Sequence, residues 1–207
     1  MTAKIRILLA EDQAMVRGAL TALLRLEDDI EVVAEVSQGD QVVSAALKSR
    51  PDVALLDIEM PGGDGLSAAQ ALHKSLPSCR IVILTTFGRS GYLRLAMESG
   101  AVGFLLKDAP ADQLAVAIRH VMAGERVVDP DLALSALSDG DNPLTGRERD
   151  VLRASLDGAS IADIATQFYL SEGTVRNHIS TAIQKLNARN RMEAAQLAKG
   201  KGWLQQS

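Results

Sequence analysis

A single cysteine, Cys79, in 207 residues cannot close an internal disulfide. The three histidines, His73, His120 and His178, lack metal-ligand spacing, so neither zinc nor thiol chemistry is indicated. No apolar run approaches the roughly 18 residues that mark a transmembrane helix. The amino-terminal stretch returns to charge at Glu11, too soon for a secretory signal. The expectation is a soluble, cytoplasmic protein with no membrane partner. At 47% hydrophobic and 23% charged residues, a mainly disordered or collagen-like chain is excluded as well.

What is present divides in two. Residues 1–141 carry 13 Lys+Arg against 20 Asp+Glu, a net charge of −7, and residues 142–207 carry 9 against 6, a net charge of +3. The length suits two modest domains. A basic terminal module suits a polyanion such as nucleic acid, although an imbalance this small also fits two ordinary solvated surfaces.

Short apolar runs alternate with helix-like stretches through residue 122, the pattern of β/α units around a parallel sheet. IRILLA (5–10), EVVAEV (31–36), VALLD (53–57), RIVILTT (80–86) and VGFLLK (102–107) read as strands. Helices are expected over 13–26, 39–49, 65–75, 90–98 and 111–122. The stretch 123–141, with two glycines, a proline and four aspartates around a short apolar patch, reads as a linker. From 142 onward the strand signal vanishes and four short helices fit, with Ser160 and Ser171 as N-caps of the second and third and Gly158 ending the first. The expected fold class is α/β plus all-α. A doubly wound (βα)5 domain over 1–122 is followed by a four-helix domain over 142–207.

In an open parallel sheet, ligands bind beyond the carboxyl ends of the strands, near the point where strand order reverses. The strand ends carry Glu11 and Asp12, Asp57, Thr85-Thr86 and Lys107-Asp108. Three converging carboxylates repel one another unless a hard cation lies among them, and Mg²⁺ takes oxygen ligands of this kind. One carboxylate can then act as nucleophile toward a phosphoryl group, with an ammonium and a hydroxyl taking up charge on the transferred oxygens. Taken singly, Asp57 also fits a strand-end turn, Glu11-Asp12 a helix-initiating acidic pair, and Lys107-Asp108 a surface pair.

Together, AEDQ, LLDIEMPG, ILTT and GFLLKD resemble, in order, the receiver domains of two-component response regulators. The spacing resembles theirs also: 45 residues from Asp12 to Asp57, 28 from Asp57 to Thr85 and 50 from Asp57 to Lys107. The resemblance implies a flavodoxin/CheY-like fold with Asp57 as phospho-acceptor. It implies Mg²⁺ held by Glu11, Asp12, Asp57 and the backbone carbonyl of Glu59. Lys107 becomes the phosphate partner, Thr85 the switch hydroxyl and Phe104 the aromatic switch residue whose ring moves inward. Glu59 and Phe87 flank the pocket by the same resemblance. Where this family often has two aspartates, Glu11 is one methylene longer, which bears on the geometry of the metal.

The helices at 160–168 and 171–187, joined at Tyr169-Leu170, have the length and spacing of a helix-turn-helix. At roughly 100° per residue, Val175, Ile179, Ile183 and Leu186 form one stripe. Gly173, Asn177, Ser180, Thr181 and Gln184 lie opposite, flanked by Arg176 and Lys185. An amphipathic helix with a solvated side has the same periodicity. LTGRERDVL, GASIADIA, LSEGTVRNHISTAIQKL and NRMEAAQLA resemble the DNA-binding domain of NarL/FixJ regulators, also called LuxR-type. This implies Arg176, Asn177 and Ser180 as readers of base edges and Ser171, Thr174 and Lys185 as phosphate contacts.

The combined resemblance implies a transcriptional response regulator and not a metabolic enzyme. Its expected partners are a histidine kinase, double-stranded promoter DNA, a second copy of the chain upon phosphorylation, and RNA polymerase at the promoter. The apolar-rich helices 13–26 and 111–122 are the candidate dimer surfaces. The alternatives are an atypical regulator that binds DNA without phosphorylation, and a small haloacid-dehalogenase-like phosphatase. The intact Asp57, Thr85 and Lys107 speak against the first; Glu59, where the second would need an aspartate, speaks against that one.

Overall fold

The computed structural model describes residues 4–86, 90–107, 111–130, 132–134 and 142–204. The chain divides into two compact units. In the first, the strands β1 (Ile5–Ala10), β2 (Ile30–Val36), β3 (Val53–Asp57), β4 (Arg80–Thr85), β5 (Gly103–Leu106) and β6 (Val127–Val128) form one sheet in the order β2-β1-β3-β4-β5-β6. Every pairing is parallel. The helices α1 (Ala14–Leu24), α2 (Val42–Ser49), α3 (Gly65–Ser75), α4 (Ser90–Glu98) and α5 (Ala111–Met122) connect them. Because β1 has β2 on one side and β3 on the other, strand order reverses there, opening a crevice at the carboxyl ends of β1 and β3.

The continuous apolar runs become strands because both faces are covered. All five residues of β3 are buried, and alternate residues of β1, β3 and β4 (Ile7, Leu9, Val53, Leu55, Val82, Leu84) pack in one core with Leu24 of α1 and Leu114, Ile118 and Val121 of α5. Arg119 of α5 pairs with Glu27 and Asp29 in the turn after α1, at 2.5 and 2.6 Å, tying that end of α5 to the α1–β2 connection.

Two boundaries differ from expectation. The helix anticipated over 39–49 begins as a 3₁₀ turn at Gly39–Gln41 before α2 proper. Within the stretch read as a linker, Val127 and Val128 pair with Gly103 and Phe104 as a sixth strand. Two residues are too short for a period-2 signal. What makes them a strand is the open edge of β5 and the apolar core beside it, against which Val127 packs.

The second unit comprises α6 (Gly146–Leu156), α7 (Ile161–Phe168), α8 (Glu172–Leu186) and α9 (Arg191–Gly200). Thr145 and Ser160 begin α6 and α7 as reciprocal capping boxes with Glu148 and Asp163. Ser171 caps α8 by accepting the Thr174 N–H at 3.1 Å. Two apolar clusters hold the helices together. Val151, Ile164, Val175 and Ile179 join α6, α7 and α8; Leu152, Ala182, Ala194 and Ala198 join α6, α8 and α9. Among the described residues no helix is long and apolar enough to cross a membrane.

Gly65 opens α3 with its backbone against β3: a Cβ there would lie 1.8 Å from the Asp57 carbonyl oxygen, while the Gly65 N–H bonds the Ile58 carbonyl at 2.9 Å. Gly65→Ala must push α3 off the strand end. It should destabilise the first unit by about 1–3 kcal/mol, read as a lowered midpoint of thermal unfolding.

Candidate functional site

Glu11, Asp57, Thr85 and Lys107 are each delivered by a strand whose apolar residues are held in the core. Asp57 closes β3 and is 5% exposed, Glu11 follows β1 at 1%, and Thr85 closes β4 at 3%. Asp12 is exposed beside them, and Lys107 follows β5, its backbone N–H bonded to the Thr85 carbonyl at 2.8 Å. The Lys107 ammonium lies 2.9 Å from Asp57 Oδ2 and 2.5 Å from Glu11 Oε2, with all three side chains nearly excluded from solvent.

Backbone donors and one arginine fix the rest of the pocket. The Ile58 N–H donates to Asp57 Oδ1 at 2.8 Å and the Gln13 N–H to Glu11 Oε1 at 3.1 Å. Arg17 of α1, unremarked in the sequence, donates from Nη1 to the Glu11 carbonyl at 2.6 Å and reaches the Asp12 carbonyl at 3.4 Å. It thereby closes the loop that carries both acids. Its position one turn into α1 is a weak signal, because a helical arginine in that place is usually a solvated one.

Burial pushes the Asp57 carboxyl above its ordinary range, and Lys107 acts in the opposite direction. The oxygens of Glu11, Asp12 and Asp57 can all lie within 4.8 Å of one another. Glu11 Oε2 is buried and accepts no hydrogen bond, its approach to Lys107 being a charge contact without hydrogen-bond geometry. An all-oxygen donor set of three carboxylates this close together fits a small hard cation such as Mg²⁺. Glu59 is exposed in the loop after β3. Phe87 and Asp108 lie outside the described residues. Cys79 is buried, its thiol pushed up to about 12 by burial, which disfavours the thiolate form.

Phe104 is fully buried on β5, its backbone paired with Ile83 of β4 and Val128 of β6.

In the second unit Arg176, Asn177, Ser180, Thr181 and Gln184 form an exposed face on α8, with Val175, Ile179 and Ala182 buried opposite. Arg176 pairs with Glu172 one turn away at 3.0 Å, both more than half exposed. Such a pair is weak and is readily exchanged for another partner. Ser171 and Thr174 share a hydroxyl contact of 2.8 Å at the start of the helix. Lys185, expected to meet phosphate, reaches the buried carboxylate of Glu148 in α6, at 2.8 and 3.0 Å from its two oxygens. The ion pair joins residues 37 apart in the chain, beyond the reach of local periodicity.

A parallel α/β unit with a buried aspartate and lysine at its switch point, followed by a helix-turn-helix unit, is the architecture of a two-domain transcriptional response regulator. Residues 7–119 match the response regulator receiver domain, and residues 142–198 match the bacterial regulatory proteins of the luxR family. The chain belongs to the two-component response regulators with a LuxR-type helix-turn-helix domain, which regulate transcription and are not enzymes. It is 48% identical over 200 residues to the transcriptional regulatory protein YvfU of Bacillus subtilis strain 168, covering 97% of this chain and 100% of that protein. To the transcriptional regulatory protein DesR of the same strain it is 48% identical over 199 residues, covering 96% and 98%. The crystal structure of the response regulator ChrA of a heme-sensing two-component system is 33% identical with a TM-score of 0.59, covering 97% of this chain and 99% of that one. Receiver domains bind Mg²⁺ at an acidic pocket, and response regulators of this kind interact with kinases and bind DNA.

Lys107→Met leaves Glu11 and Asp57 buried without their cation, a loss of about 3–5 kcal/mol at neutral pH in the absence of metal. A carboxyl raised by burial binds its proton more tightly folded than unfolded. Stability is therefore gained as pH falls from the raised value toward the ordinary one near about 3.9. Thermal unfolding across this range should show the gap between variant and native chain narrowing toward acid.

Proposed function

We propose that Asp57 accepts a phosphoryl group from a histidine kinase, that the phosphorylated chain dimerises, and that the dimer binds double-stranded promoter DNA through α8. The observation that carries this reading is the Asp57 carboxylate, buried at a strand end between an ammonium and two further acids. An Asp57 oxygen attacks the phosphorus of a phosphohistidine. The P–O bond forms as the P–N bond breaks, and the leaving imidazole keeps the electron pair and takes up a proton. Glu11, Asp12 and Asp57, with the Glu59 carbonyl, are the proposed holders of Mg²⁺, which when bound supplies positive charge against the carboxylates and the transferred phosphoryl. Lys107 turns from Glu11 to a phosphoryl oxygen, and the Thr85 hydroxyl donates to another. Phe104 acts from a buried position, through packing.

The proposed dimer surface is a groove of about 340 Å³ between α1 and α5. Met15, Leu20 and Leu23 of α1 line it with Leu106 and Leu114, and Met15 is 88% exposed. Lys107 also lines the groove, so a lysine drawn toward phosphate alters the wall that the second copy meets. Phosphorylation and dimerisation then share one side chain.

On α8, Arg176 suits a bidentate contact to guanine and Asn177 one to adenine, with Ser180 reaching a base edge directly or through water. Ser171 and Thr174 are placed for phosphate, where contacts set register and carry no sequence information. Promoter binding in turn places the chain beside RNA polymerase.

Intact mass and light scattering before and after Mg²⁺ with acetyl phosphate, or with a phosphorylated kinase, test the receiver half. A phosphoryl mass gain and a shift from monomer to dimer are expected in the native chain, and neither in Asp57→Asn. A dimer already present without phosphate would favour the phosphorylation-independent regulator. Met15→Glu should keep the mass gain and lose the dimer. Arg176→Ala should weaken binding to a selected duplex by about 1–3 kcal/mol and relax its sequence preference; an unchanged ratio of specific to non-specific binding would remove Arg176 from base readout.

A further inference from the structure

We infer that Lys185 and Glu148 form a positioning pair that sets the rotation and height of α8 on α6, and that Lys185 does not serve as a phosphate contact. This rests on the reading of α8 as the DNA-reading helix.

The apolar contacts of α8 are made by Val175, Ile179 and Ala182, with Ile183 and Leu186 packed beside them, all aliphatic side chains along one stripe. Such a stripe fixes which side of a helix is buried. It resists small rotations or slides along the axis only weakly, because aliphatic contacts have no preferred direction. The Lys185–Glu148 contact is directional and closes the last turn of the same helix. Two of the three Lys185 ammonium donors are spent on the two oxygens of Glu148, at 3.0 and 2.8 Å. The Glu148 side chain is only 5% exposed and that of Lys185 31% exposed, so the carboxylate has little access to any cation but this one.

Glu148 is itself held from a second direction. Its Oε2 accepts the Thr145 N–H at 2.7 Å, and its own N–H donates to the Thr145 hydroxyl. One carboxylate therefore starts α6 and anchors the end of α8. Burial acts to raise the Glu148 carboxyl, and the hydrogen bonds from Lys185 and from the Thr145 backbone outweigh it, holding the group below the usual glutamate range. Drawing Lys185 away to a DNA phosphate would strand that charge in the interior.

On the helix, Lys185 falls about 180° around from Arg176 and about 20° from Thr174. It lies on the flank that joins the reading face to the core. A pair at this place sets how Arg176, Asn177 and Ser180 are presented to a groove without touching DNA.

The test uses the full chain and a duplex that the native protein selects from a random-sequence pool, with affinity followed across salt concentration. Glu148→Gln is the decisive variant. It keeps the shape and the capping hydrogen bond, removes a negative charge from a basic domain and releases Lys185. If Lys185 were a phosphate contact, this variant would bind as tightly as the native chain or more so. As a positioning pair, its loss should weaken binding to the selected duplex on the order of tenfold, with binding to a random duplex little changed. Lys185→Met should show a similar loss with an unaltered slope of affinity against salt, and the double variant should lose no more than either single one. A slope reduced by about one phosphate contact in Lys185→Met, together with undiminished binding by Glu148→Gln, would overturn the inference. The combined variant Arg176→Ala with Asn177→Ala in the same assay separates the two levels: if it leaves sequence preference intact, the assignment of α8 fails, whatever the Lys185–Glu148 pair does.

Discussion

A single ammonium, drawn between two buried carboxylates where strand order reverses, is the constraint on which the receiver unit depends. Burying Glu11 and Asp57 together is unfavourable by desolvation and by mutual repulsion. Lys107 makes the arrangement tenable by lying within 3 Å of both. That same compensation makes the pocket receptive. Any group that brings oxygens to Lys107 and positive charge to the acids replaces one balanced cluster by another, and the structure need only redistribute its charges.

The surrounding fold keeps those charges in reach of each other. Parallel strands buried on both faces deliver their last residues to one crevice, and a glycine at the start of α3 lets that helix press directly on the Asp57 backbone. Arg17 closes the acidic loop from α1, and α1 also lines the apolar groove that Lys107 shares. In the helical unit a buried carboxylate plays a comparable part. Glu148 joins a helix start to a helix end, so the face carrying Arg176 and Asn177 is oriented by a charge pair as well as by packing.

Much of this was legible in the sequence. The five principal strands, the helices and the N-caps at Ser160 and Ser171 followed from periodicity and local capping chemistry, which act over a few residues. Asp57, Glu11, Thr85 and Lys107 could be placed in one crevice because parallel topology sends strand ends to the same side. Short or distant features escaped. Val127-Val128 becomes a strand only because β5 offers an edge, and Arg17 matters only through carbonyls that the fold turns toward it. The Lys185–Glu148 contact escaped because its two residues lie in different helices, 37 positions apart.

What the sequence by itself determined was the class of each unit, the order of its elements and the identity of the chemically competent side chains, since these rest on local propensity, on hydrophobic period and on residues that only one kind of pocket can use. What only the tertiary structure decided was which charges face each other and which rings are already buried. Lys107 bridges Glu11 and Asp57, Lys185 meets Glu148, and Phe104 is fully buried. Such pairings depend on distances of 2.5–3 Å between residues tens of positions apart, and those are set by packing.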